Sequence, residues 1–169
     1  LTIVDVENTS VHGGSNRIWA KKTQFANPNK SVQRNLDLEK ILGLDKIETM
    51  ERFARRVVES KDDLRRFLTS CADAGKKVIS YGATSKSTTI FNYCKIDTDL
   101  IQYITDTTPE KQGKYSPGVH IPIVSPEQGF NNSVDFAFLG AWNFAQEIKN
   151  KEKDFKGRFI THVPKVRFV

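Results

Sequence analysis

The residues with the plainest chemistry run from Val78 to Thr89, in the order Val-Ile-Ser-Tyr-Gly-Ala-Thr-Ser-Lys-Ser-Thr-Thr. A short apolar strand enters a small-residue turn and then a helix. Such a turn exposes backbone N–H groups, the helix N-terminus adds several unpaired ones, and Lys86 supplies a full positive charge. Phosphate or pyrophosphate is the expected guest. The turn lacks both the G-x-G-x-x-G order of a dinucleotide site and the G-x-x-x-x-G-K-[ST] order of a P-loop. Asp106 follows Gly82 at about the separation of a ribose-holding acid, but the missing fingerprint disfavours a free NAD site.

The elements that must position this turn alternate strand, helix, strand. Apolar runs predict strands at 77–81, 100–105, 121–124, 135–139 and 158–161, with helices near 87–94, 126–130 and 141–153. That alternation predicts an α/β, Rossmann-like parallel sheet flanked by helices. Ligands of such sheets collect at the carboxyl ends of the strands. Residues 81–86, Asp106 and residues 140–143 all follow predicted strands and are expected to converge on one crevice. In the last of these, Trp142 and Phe144 are expected to pack the helix on the sheet, leaving Asn143 to face the crevice.

Upstream, apolar Ile3, Val4 and Val6 alternate with polar neighbours, and residues 16–22 read as a second strand across His12-Gly13-Gly14-Ser15. A lone hairpin is unstable in water, so the ribbon is expected to belong to the sheet of a preceding domain. Between it and the α/β part, Leu36, Leu38, Ile41, Leu42 and Leu44 mark one amphipathic stretch. A longer one runs from Met50 to Cys71 and ends before Gly75.

Composition bounds the rest. At 169 residues and 38% hydrophobic, the chain can bury one α/β core and a smaller attached piece. No apolar run approaches the roughly 20 residues of a spanning helix, and residues 1–22 lack the basic-then-apolar layout of a signal peptide, so no membrane partner and a cytoplasmic location are expected. The net charge of +6 is spread over both halves without a basic stripe, which argues against a nucleic-acid partner. Cys71 and Cys94 have no metal spacing and are expected to be buried thiols.

Ser80 to Lys86 resembles a GYGA-x-x-K segment. Asp106-(x4)-Lys111-Gln112-Gly113-Lys114-Tyr115-(x)-Pro117-Gly118-(x)-His120-Ile121-Pro122-Ile123 resembles D-x4-KQG-[RK]-x-x-PG-x-HIPI. Ala141 to Ile148 resembles AWNFA-x-EI, and His12-Gly13-Gly14-Ser15-(x)-Arg17 resembles an HGGS-x-R turn. Together these segments resemble sugar C-methyltransferase C-terminal domains. Ser80 and Ser87 stand where the family usually has glycine, adding bulk near the expected phosphates. Thr9 and Val11 occupy the stretch where some members carry tyrosine and glutamate.

The resemblance implies a part of a larger S-adenosylmethionine-dependent enzyme. Residues 1–22 would close the methyl-donor domain, 23–75 would be a helical connector, and 76–169 would be the substrate-binding domain. S-adenosylmethionine and a zinc ion of an N-terminal module would be bound outside this chain. The substrate would be a nucleotide-diphosphate deoxysugar methylated on a carbon beside its keto group. That carbon must lose a proton to give an enolate, so a base is required. His12 is the candidate base, because imidazole titrates near neutrality and the glycine turn admits a sugar closely. The candidate substrate-binding residues are Gly13, Ser15, Arg17, Tyr81, Gly82, Ala83, Thr84, Ser85, Lys86, Asp106, Lys111, Gln112, His120 and Asn143. Two other classes stay open: a non-catalytic nucleotide-binding module that keeps the fold, and a pyridine-nucleotide oxidoreductase domain.

Overall fold

The computed structural model describes residues 1–131 and 133–169. The chain divides into two compact units, Leu1–Arg56 and Val57–Val169, and the division falls inside one long helix.

In the first unit, β1 (Thr2–Thr9) and β2 (Ser15–Lys21) pair antiparallel around a 3-10 turn at Val11–Gly13. α1 (Lys30–Leu42) lies against β1. The Val6 amide donates to the Ser31 hydroxyl at 3.3 Å, and the Asn29 amide donates to the Val4 carbonyl at 2.8 Å. Gly43, at φ 64°, ends α1 in the left-handed conformation that glycine reaches most cheaply. Val4 is the one buried apolar side chain among the described residues of this unit, while Val11, Ile18, Phe25 and Ile41 are exposed.

α2 (Ile47–Asp73) runs from the first unit into the second. In the second unit the strands are β3 (Val78–Tyr81), β4 (Ile104–Thr105), β5 (Ile123–Val124), β6 (Phe136–Leu139), β7 (Arg158–Thr161) and β8 (Arg167–Phe168). They form one sheet in the order β5-β4-β3-β6-β7-β8, parallel from β5 to β7, with β8 antiparallel at the edge. The helices are α3 (Ser85–Cys94), α4 (Pro126–Gly129) and α5 (Ala145–Lys151).

Both faces of the central strands are buried, which is why they read as continuous apolar runs. Val78, Phe138 and Ile160 join Leu64, Leu68 and Phe91 in one core cluster. The alternate residues Ile79, Ala137, Leu139 and Phe159 join Ile148 in the other. Cys71 and Cys94 are free thiols in the first cluster, and burial raises both above the usual thiol range.

Three expectations change. The fourth-strand run shrinks to Ile104–Thr105: Gln102 and Tyr103 still bond the β3 backbone at Val78 and Ser80, but residues 100–103 hold no ladder register. The two-residue β8 went unread; it is held by pairing to β7 and by the Arg158 guanidinium 3.4 Å from the Phe168 ring centre. Phe144, expected to pack the helix on the sheet, is 43% exposed, because residues 142–144 form a 3-10 turn before α5 begins.

Candidate functional site

The turn after β3 is built by small residues and short hydrogen bonds. Gly82 has φ +88°, a conformation that a side chain would strain. Its amide donates to the Thr105 carbonyl at 2.7 Å. Thr84 caps α3 by accepting from the Ser87 amide at 3.1 Å. The Ser87 hydroxyl donates to the Gly82 carbonyl at 3.0 Å, and Ser87 is 1% exposed. Ser80 is also buried, its hydroxyl 3.5 Å from the Phe138 carbonyl. The bulk that these serines were expected to add near a phosphate therefore turns inward, where it ties the turn together.

Asp106 organises the loop that follows β4. One carboxylate oxygen accepts from the Thr108 amide at 2.8 Å; the other accepts from the Ala83 amide at 2.7 Å and the Lys111 ammonium at 3.1 Å. Burial pushes the Asp106 carboxyl up, but the bonds from Thr108, Ala83 and Lys111 outweigh it and hold the group below its ordinary value. Lys111 also donates to the Ala83 carbonyl at 2.9 Å, and the Gln112 side chain donates through Nε2 to the Asp106 backbone carbonyl at 2.9 Å. These contacts lock the 106–112 loop against the start of α3.

Beside this brace runs a groove of about 520 Å³. Ala83, Thr84, Ser85 and Lys111, all named from the sequence, line it. Thr88, Lys114, Tyr115 and Pro117 also line it and were missed. The available signal was Lys114-Tyr115, which directly follows the Lys111-Gln112-Gly113 run.

Other expected residues sit elsewhere in this unit. The Lys86 ammonium donates to the Asn143 side-chain oxygen at 2.7 Å and lies 5.7 Å from the Trp142 ring centre. The structure thus brings Lys86 and Asn143 together, but outside the groove lining. Behind them Gly140 approaches α3 so closely that an added Cβ would overlap the Ser87 side chain and come within 3.2 Å of its Cα. Tyr81 shares the Ile79 face of the sheet; its ring lies 5.5 Å from Phe130 and its hydroxyl donates to Glu152 at 2.8 Å. Burial first, and the Glu152 carboxylate second, raise the Tyr81 phenol above its ordinary range. His120 is exposed, at φ 55°, outside the groove lining, with its amide donating to the Ser116 carbonyl at 3.1 Å.

In the first unit, His12 is exposed with φ 55° and ψ 23°, between Val11 and two glycines at φ 88° and 126°. The Ser15 hydroxyl donates to the Val11 carbonyl at 2.9 Å, fixing the turn that Gly13 shapes. Arg17 pairs with Glu7 at 3.0 Å on the exposed ribbon. Among the described residues no group of three or more His, Cys, Asp or Glu could hold a metal ion, and no helix is long and apolar enough to cross a membrane.

A mostly parallel α/β sheet carries a braced, cation-lined groove beside the carboxyl ends of its strands. The family model described as C-methyltransferase C-terminal domain matches residues 10–164, and the chain belongs to that family. It is 35% identical over 173 residues to the C-methyltransferase NovU of Streptomyces niveus, an alignment covering 100% of this chain and 41% of that protein. The chain thus spans about two fifths of the length of that curated relative.

Proposed function

We propose that this chain is the nucleotide-sugar-binding part of an S-adenosylmethionine-dependent C-methyltransferase acting beside the keto group of a nucleotide-linked deoxysugar. The observation that carries the reading is the groove at the start of α3. A ten-residue helix opens there with the first-turn N–H groups of Ser85 and Lys86, while Thr84 caps that of Ser87, and Lys111 sits beside them on the Asp106 brace. A diphosphate is the small ligand that uses both features. The reversal of strand order between β3 and β6 supports a Rossmann-like description of this unit.

When bound outside residues 1–169, S-adenosylmethionine supplies the methyl group. The residues of this chain hold the substrate and move a proton. The amides of Ser85 and Lys86 and the Lys111 ammonium hold the diphosphate, Ala83 and Thr84 shape the turn that presents them, and Asp106 and Gln112 position Lys111 and its loop. His12 takes the proton from the carbon beside the ketone, with Gly13 and Ser15 shaping its turn. Exposed Ile18 and Trp19 on a ribbon with little core of its own support a preceding methyl-donor domain as the surface that covers it.

Calorimetric titration of the full chain with thymidine diphosphate tests the reading. Ser85→Glu places a negative charge in the first turn of α3, where it favours the helix and repels the ligand. Tenfold or greater weakening of thymidine diphosphate is expected, with the melting temperature held or raised. Undiminished binding by Ser85→Glu would remove the groove from the proposal.

A further inference from the structure

The groove has two chemically distinct parts. The start of α3 and the Lys111 ammonium, held at the Ala83 carbonyl, offer N–H groups and charge. Tyr115, Pro117 and Ile123 offer aromatic and apolar surface. Asn92 donates to the carbonyls of both Thr88 and Pro117, so the Pro117 end meets α3 at least one turn beyond its start. At about 520 Å³ the groove falls within the roughly 300–1,000 Å³ of small-molecule sites. A diphosphate alone leaves its apolar end uncovered.

Tyr115 is 64% exposed, and its ring and hydroxyl have no partner among the described residues. Its backbone, by contrast, is fixed. Tyr115 bridges antiparallel to Pro122, and the Lys114 carbonyl accepts from the Ile123 amide at 2.8 Å. The Ser116 amide donates to the Ile121 carbonyl at 2.8 Å, and the Ser116 hydroxyl accepts from the Ile121 amide at 3.0 Å. Asn92 of α3 donates to the Pro117 carbonyl at 2.9 Å. An exposed aromatic side chain on a rigid backbone loses little entropy when it stacks on a ligand. The lysines are similarly sorted. Lys111 is committed to Ala83 and Asp106 and Lys86 to Asn143, whereas Lys114 has no acceptor among the described residues.

We propose that Tyr115 is the nucleobase platform of this groove and Lys114 the cation that meets the bound diphosphate. The assignment rests on the nucleotide reading above and extends it to two residues outside the candidate binding set named from the sequence. The base stacks on the Tyr115 ring, the phosphates reach the start of α3, and Lys114 supplies charge not already spent on the fold.

The full chain is titrated with thymidine diphosphate and, separately, with inorganic pyrophosphate. Tyr115→Ala should weaken thymidine diphosphate by about tenfold, the scale of one base–aromatic stack, and leave pyrophosphate unchanged. Tyr115→Phe should bind both as wild type does. Lys114→Gln should weaken both ligands several-fold. The thymine H6 resonance should move upfield on binding wild type and Tyr115→Phe, and should not move with Tyr115→Ala. Equal thymidine diphosphate affinity and an equal H6 shift in Tyr115→Ala would overturn the platform while leaving the diphosphate site standing. A wild-type chain that binds neither probe would end the nucleotide reading, and this assignment with it.

Discussion

At the scale of single residues, the structure separates side chains that meet a ligand from those that hold the site in shape. Asp106 belongs to the second kind, since its carboxylate is spent on Thr108 and Lys111 of its own loop and on Ala83 of the turn before α3. Asp106→Asn replaces an acceptor by a donor facing the Ala83 amide or the Lys111 ammonium, and should cost about 1–3 kcal/mol in chemical denaturation. Its folded value lies below the unfolded one, so its stabilisation is complete above about pH 4 and is lost as pH falls through the folded value. The variant should lack that acid-side loss. His162 carries a second pH signature. Burial lowers its imidazole to about 4, and its Nδ1 has no hydrogen-bond partner among the described residues. The unfolded chain takes up that proton near pH 6.5 and the folded chain does not. Stability from this group is therefore complete above about pH 6.5 and falls progressively toward pH 4. Between pH 7.5 and pH 5 the wild type should lose about 1–2 kcal/mol from this group, a loss absent in His162→Leu.

The elements explain what was legible in the sequence. β3, β6 and β7 were legible because strands buried on both faces are continuous apolar runs, and the end of α2 because Gly75 follows it. β4 and β5 lie inside apolar runs that read as longer strands, whereas the two-residue β8 carries no such signal; the extent of all three is set by pairing. Side-chain direction was the harder part. Tyr81 was grouped with its neighbours in the turn, yet strand alternation already placed it with Ile79 on the opposite face from Ser80. The inward course of Ser80 and Ser87 depends on Phe138 and Gly82, contacts that no local pattern records. Another close inter-element contact joins Gly140, just after β6, to α3. Gly140→Ala should destabilise the fold by about 1–3 kcal/mol through overlap with Ser87. Ser87→Gly, which removes the overlapping side chain, should make the double variant less destabilised than the summed single changes in denaturant titrations.

For the whole molecule, the two units carry different parts of the proposed reaction. The groove, its brace and its aromatic end belong to Val57–Val169, whereas the His12 turn belongs to Leu1–Arg56. Family membership was legible from motifs spread across both units, and the covered stretch, 10–164, includes His12. In the full-length enzyme, His12→Ala should abolish solvent-deuterium exchange at the carbon beside the substrate's ketone while leaving thymidine diphosphate affinity unchanged. Retained exchange would show that another group is the base.

The groove itself is open to a more direct measurement, amide hydrogen exchange on the full chain with and without saturating thymidine diphosphate. Protection should rise over residues 83–89 and 111–117 and stay unchanged in β6 and β7. Protection elsewhere with none in those two segments would contradict the assignment of this groove to the nucleotide.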